Sequence, residues 1–140
     1  TQPNAREKAS FLKENILPIE ESGHLRFLKE GEDLLPGFSV RLVHGHTESM
    51  MLPVIDYKGR KLAYCADLMP SVAHLPVPYV MAYDTRPLLS LGEKAAFLED
   101  AMNGNWTLFF EHDPVIECCN LQRTEKGIRQ AEAFDLDQWV

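Results

Sequence analysis

The chain has 140 residues, 45% of them hydrophobic, with 21 acidic against 14 basic side chains and a net charge of −7. That length and apolar content suit one globular domain with a sizeable core and argue against a disordered tail, while the scattered Lys and Arg argue against binding a phosphate backbone as the main activity. No apolar run approaches the roughly 20 residues that cross a bilayer, and the N-terminus is polar, so neither a membrane span nor a signal peptide is visible.

Three cysteines, Cys65, Cys118 and Cys119, make an odd count with no CxxC spacing. That reads as reduced core thiols in a reducing, hence cytoplasmic, compartment. The first residue is Thr1, not methionine, as expected of a piece of something longer.

In chain order, Asn4 and Glu7 have capping-box spacing, and Ala5, Ala9, Leu12 and Ile16 follow on one helical face that Pro18 should end. Gly23 to Leu28 reads as a short strand with Leu25 and Phe27 alternating, then Lys29 to Glu32 as a polar turn and Leu34 to Gly37 as a second turn. Phe38 to Val43 is a strand delivering His44-Gly45-His46 at its end. Met50 to Tyr57 and Arg60 to Ala66 form a hairpin around Lys58-Gly59, which returns Asp67 to the His46 end.

Leu68 to Pro87 carries prolines 70, 76, 78 and 87 among apolar residues, too apolar for a linker, and reads as an ordered wall beside a site. Ser90 and Glu93 suggest the cap of a helix ending near Asn103-Gly104, with Leu91, Ala95, Leu98 and Met102 on its buried face. A helix there is a crossover, so the strand Thr107 to Glu111 should lie parallel to the one before Asp67. Val115 to Leu121 and Ile128 to Phe134 are extended, their order in the sheet left open by the pattern. No repeat or interior boundary interrupts a single unit over residues 1–140.

Three apolar runs thus end in His46, Asp67 and His112, each at the C-terminal end of a strand. Imidazole nitrogen and carboxylate oxygen together suit zinc, iron or manganese. A lone histidine is usually an ordinary core or surface group; three strand-end ligands at one edge are a stronger signal. Weaker candidates have bland alternatives beside them. His44 is a rim residue or a partly exposed histidine, His74 a pocket residue or a surface one, and His24 solvent-facing. Glu48 and Asp113 orient ligands or cap turns, Asp84 and Arg86 form a local ion pair, and Cys65 is a core thiol.

The segment Leu35-Pro-Gly-Phe-Ser-Val-Arg-Leu-Val-His-Gly-His-Thr47 resembles the Gly-His-Thr segment of the metallo-β-lactamase fold hydrolases. Ala66-Asp67 and Glu111-His112-Asp113-Pro114 resemble that family's later Asp and His motifs, in the same order. The resemblance implies two divalent metal ions, zinc before iron or manganese, with His46 on the first ion, Asp67 as the bridging, catalytic carboxylate and His112 on the second. The His-Asp-Pro ending is similar to the lactonase-like members. Those often carry a tyrosine soon after the Asp, where this chain has Pro70, leaving Tyr79 or Tyr83 as substitutes.

Two departures matter. His44 stands where proline is usual, and the family's HxHxDH motif is absent, since reading His44 to Ser49 as that motif leaves no separate Gly-His-Thr before Asp67. The resemblance therefore implies an α/β fold corresponding to the C-terminal half of an αβ/βα sandwich, with half a metal site, inactive by itself. The implied parent is a hydrolase whose metal-bound hydroxide attacks an ester, lactone, thioester or related bond of a small-molecule substrate. The alternatives are an RNA- or phosphodiester-processing member of the same fold, and a vestigial, non-catalytic interaction module. Neither nucleic acid nor membrane is an expected partner; self-association through an exposed sheet face is.

Overall fold

The parallel strand pair expected from the crossover is present in a computed structural model, which describes residues 3–140. Seven strands form one mixed sheet in chain order: β1 (Asp33–Leu35), β2 (Phe38–Val43), β3 (Met50–Tyr57), β4 (Arg60–Tyr64), β5 (Thr107–Phe109), β6 (Cys118–Thr124) and β7 (Gly127–Phe134). Neighbours are antiparallel except β4 and β5, which run parallel with Leu62 opposite Thr107 and Tyr64 opposite Phe109. The helix α2 (Pro87–Asn103) lies in the connection between them.

Strand direction follows from turn chemistry. Pro36 and Gly37 (φ 78) close β1 onto β2, and Lys58 (φ 54) with Gly59 (φ 75) close β3 onto β4 in the left-handed pair that a two-residue hairpin needs. Val43 pairs with Met50, and Val54 with Ala63, so the end of β2, the start of β3 and the end of β4 share one edge. The parallel β5 ends there too.

Strand side chains alternate between two apolar faces. Val43, Leu52, Val54, Ala63, Cys65, Leu108 and Cys119 form the main core with Phe97, Leu98 and Ala101 of α2. On the opposite face Leu62 and Cys118 pack with Trp139 of the terminal helical turn α3 (Leu136–Trp139), flanked by Ile55, Phe109 and Phe134. The indole Nε1 of Trp139 donates to Thr107 Oγ1 at 3.0 Å, and the Arg60 guanidinium lies 4.6 Å from its ring centroid.

Several expectations are corrected. Asn4 and Glu7 do bond reciprocally at 3.0 and 3.1 Å, but they close isolated turns, and the helix α1 spans Lys13–Glu21 with Pro18 inside it. None of its side chains is buried. No packing face selects its start, and the carbonyl orphaned by Pro18 lies in a wholly exposed helix. Gly23 to Leu28 is not a strand, having no neighbour to pair with.

The helix α2 begins at Pro87, whose fixed φ and missing N–H suit a first turn, not after a Ser90 cap. Its buried face is Ser90, Lys94, Phe97, Leu98 and Ala101; Leu91 is 36% exposed. β4 stops at Tyr64 and β5 at Phe109, which leaves Asp67 and His112 in the following turns, not on the strands themselves.

The core assignment has a direct test. Phe97→Ala, in the middle of the main cluster, should cost about 3–5 kcal/mol in urea unfolding, whereas Leu88→Ser, on the 85% exposed outer side of the same helix, should change stability by no more than about 0.5 kcal/mol.

Candidate metal centre

Three chain turns at one sheet edge place the groups, and each is held by identifiable contacts. The Glu93 carboxylate accepts from the backbone N–H of His44 at 2.8 Å and of Gly45 at 3.0 Å, so this residue fastens the histidine turn to α2 instead of capping the helix. Arg86 N donates to Gly45 O at 2.8 Å and Thr85 N to His46 O at 3.1 Å. A side chain at Gly45 has no room: its Cβ would lie 2.2 Å from Ser90 Oγ and 2.3 Å from Ser90 N. The glycine of His-Gly-His is there because the first turn of α2 sits against it.

After β4, Ala66 adopts φ 41 and opens a 3-10 turn, Ala66–Leu68, that swings Asp67 out over the edge. A non-glycine residue at positive φ costs on the order of 1–3 kcal/mol and persists where the surroundings enforce it. The His112 backbone N–H donates to Pro70 O at 2.9 Å, tying the third turn to the second. Asp113 reinforces that tie, accepting from Val72 N at 3.0 Å, Val115 N at 3.0 Å and Ile116 N at 2.8 Å. Burial pushes the Asp113 carboxyl up, but the N–H groups of Ile116, Val115 and Val72 outweigh it and hold it below the ordinary value.

The structure brings His46, Asp67 and His112 together. Asp67 presents Oδ2 to His46 Nε2 at 3.3 Å and Oδ1 to His112 Nε2 at 3.5 Å, one oxygen to each imidazole. On the far side of the His46 ring, Nδ1 meets Asp84 Oδ1 at 2.9 Å, and Asp84 is only 6% exposed. With Asp84 ionised, Nδ1 carries the proton and donates it, which fixes the tautomer and aims the Nε2 lone pair at Asp67.

A lone pair facing a carboxylate oxygen is repulsive unless a proton or a cation sits between them. Two ligand atoms on one tetrahedral cation with bonds of ~2.1 Å are separated by ~3.4 Å, which matches both contacts. The donor set of two imidazoles and a shared carboxylate suits a borderline divalent ion.

Asp84 is the first group whose role sequence reasoning missed; its partner is His46, not Arg86, which instead reaches Glu48. His44 also pairs with Glu48, Nδ1 to Oε1 at 2.7 Å, and so stands apart from the site. Glu111 is the second omission. One of its oxygens lies with atoms of Asp67 and His112 in a group whose members are all within 4.8 Å of one another. Burial and the neighbouring Glu111 carboxylate together push the Tyr64 phenol up to about 12.

A cleft of about 280 Å³ opens over His46, Asp67 and His112, walled by Arg6, Phe11, Met81 and Tyr83 among others. Tyr83 thus reaches the cleft, whereas Tyr79 does not line it. His74 does not line it either, its Nδ1 meeting Ser71 Oγ at 2.9 Å, and Cys65 is fully buried in the core.

Two predictions follow from this scaffolding. Gly45→Ala should cost about 1–3 kcal/mol in chemical denaturation through overpacking against Ser90. The stability that Asp113 contributes through its depressed carboxyl is complete at neutral pH and lost as the pH falls through that value. The urea-unfolding gap between wild type and Asp113→Asn should therefore be constant near neutrality and close below about pH 3.8.

No family model and no curated protein matches the sequence. Solved structures do. A probable metal-dependent hydrolase from Staphylococcus aureus is 22% identical with a TM-score of 0.76, over 95% of this chain and 48% of that one. AidC, a dizinc quorum-quenching lactonase, is 23% identical with a TM-score of 0.68, over 94% and 48%. The hydrolase AbOPH of the β-lactamase superfamily is 18% identical with a TM-score of 0.74, over 88% and 43%. The chain spans about half the length of these structures. Over that half, its mixed sheet and helices have the same α/β fold as these structures.

Proposed function

We propose that this chain is the C-terminal half of a metal-dependent hydrolase, in which His46 and His112 each hold one divalent cation and Asp67 bridges the two. The observation that carries this reading is the Asp67 carboxylate with one oxygen turned to each imidazole, 3.3 and 3.5 Å away, and Asp84 fixing the proton on the back of His46. Zinc is the favoured ion, given the imidazole share of the donor set, with manganese or iron as alternates. When bound, such ions would supply Lewis acidity and an activated water for hydrolysis of an ester, lactone or thioester carbonyl.

The residues of this chain contribute orientation. Asp84 holds His46 in one tautomer, Gly45 and Glu93 fix the turn that carries it, and the strained Ala66 turn presents Asp67. The cleft over the three groups admits a small molecule, with Tyr83 and Phe11 as apolar walls. The lactonase description of AidC supports an ester-like carbonyl substrate. A phosphodiester or RNA substrate is disfavoured by the net charge of −7, and a vestigial module by the intact His-Asp-His contact. Among the described residues no helix is long and apolar enough to cross a membrane. Three free, buried thiols support a reducing, cytoplasmic setting.

Elemental analysis of the parent protein tests this reading: about two metal ions per chain are expected, and none after reconstitution with zinc, manganese or iron would leave the vestigial module. Asp67→Ala in the parent should reduce ester or lactone hydrolysis to background with the fold intact. Retained turnover there contradicts the bridge. Asp84→Ala should weaken zinc binding in a calorimetric titration about 10–100-fold. The isolated chain, with Met51 and Tyr57 exposed on the face opposite α2, is expected to self-associate in sedimentation at high concentration; a monomer at all concentrations argues against that.

A further inference from the structure

The stretch between Asp67 and α2 walls the site, and its two ends are tied to the sheet edge by Pro70, Val72, Thr85 and Arg86. Between them, among the described residues, the backbone bonds of positions 73 to 81 are local turns. Their hydrogen bonds to another element all go to one side chain. Lys94 Nζ, on the buried face of α2, donates to the carbonyls of His74 at 3.1 Å, Pro76 at 3.1 Å and Tyr79 at 2.5 Å. Lys94 is 0% exposed, and among the described residues its ammonium is bonded by these three carbonyls and enters no ion pair.

An ammonium has three protons and no lone pair, so three convergent carbonyls satisfy it completely. Burying such a charge is costly unless its protons are all bonded, and here the three carbonyls that bond them belong to one loop, so the ammonium and the loop hold each other in place. We propose that Lys94 is a positioning residue whose buried ammonium gathers the carbonyls of His74, Pro76 and Tyr79 and thereby holds the wall that sets Asp84 behind His46.

The groups facing it agree with that role. Burial pushes the Lys94 ammonium down to about 8, opposed by the Asp84 carboxylate at the end of the same wall. The other facing titratable group, His74, is lowered by its own burial and then by the Lys94 charge. Lys94 is thus charged at neutral pH and coupled through space to the carboxylate that orients His46. Because the unfolded chain keeps an ordinary lysine value of 10.5, it binds more protons than the folded chain between pH 8 and 10.5. In that window this group makes the fold more stable as the pH rises, while the clamp itself loses a donor.

The test uses the 140-residue chain, the variant Lys94→Met, amide hydrogen exchange and the ring nitrogen shifts of His46, all at pH 7. The expected result is that sheet and α2 amides keep wild-type protection, the Asp84 and Thr85 amides exchange about tenfold faster or more, and the His46 ring shifts move. Unchanged Asp84 and Thr85 amides, or a uniform loss of protection across the sheet, overturns the proposal. A second measurement covers a variant that fails to fold: wild-type methyl signals of Leu75 and Val77 should titrate together with the Lys94 Cε signal, and methyls that stay fixed while Cε titrates contradict the clamp. Neither readout involves a metal ion, which keeps its outcome separate from that of the metal titration.

Discussion

The parallel pairing of β4 with β5 is the constraint on which the site depends. Antiparallel turns alone bring the end of β2 and the end of β4 to one edge, and so place His46 near Asp67. Only a crossover can return a third strand in the same direction, and α2 is that crossover. Without it His112 would lie at the opposite edge, and Asp67 would face one imidazole instead of two. The core that Phe97, Leu98 and Ala101 of α2 share with Ala63 of β4 and Leu108 of β5 is therefore a condition of the site's geometry as well as of stability.

The same helix has a second task. Its first turn lies on Gly45, its Glu93 carboxylate binds the N–H groups of His44 and Gly45, and its Lys94 reaches the wall that ends in Asp84. Three consecutive parts of one rigid element thus locate the His46 backbone, the turn before it and the carboxylate behind its ring. A site built from turns gains precision when the turns are fastened to regular structure. The positive φ of Ala66 marks where strain remains, one residue before the carboxylate shared by both imidazoles.

Much of this was legible in the sequence, for reasons that can be stated. Alternating apolar runs with Pro-Gly and Lys-Gly turns specify the directions of β2, β3 and β4 locally, and a helical stretch before β5 marks a crossover, so the convergence of His46, Asp67 and His112 was legible. The errors fall where tertiary contact decides. Helix α1 has no buried side, so its periodicity carried no information about its bounds. On α2 a Ser-x-x-Glu spacing suggested a cap, yet Pro87 set the start and Glu93 served the histidine turn. Lys94 carries no signal in the sequence, because three carbonyls from a distant loop leave no trace in spacing. Asp84 was assigned to Arg86, its neighbour by sequence, whereas its partner lies 38 positions away.

The central claim is that the imidazoles of His46 and His112 share a cation site through Asp67. Ring nitrogen NMR during a zinc titration of the parent protein tests it most directly. The account predicts that Nε2 of His46 and Nε2 of His112 shift in step as zinc is added, while the proton on His46 Nδ1 is retained against Asp84. A shift at only one of the two rings, or at neither under saturating zinc, would contradict it.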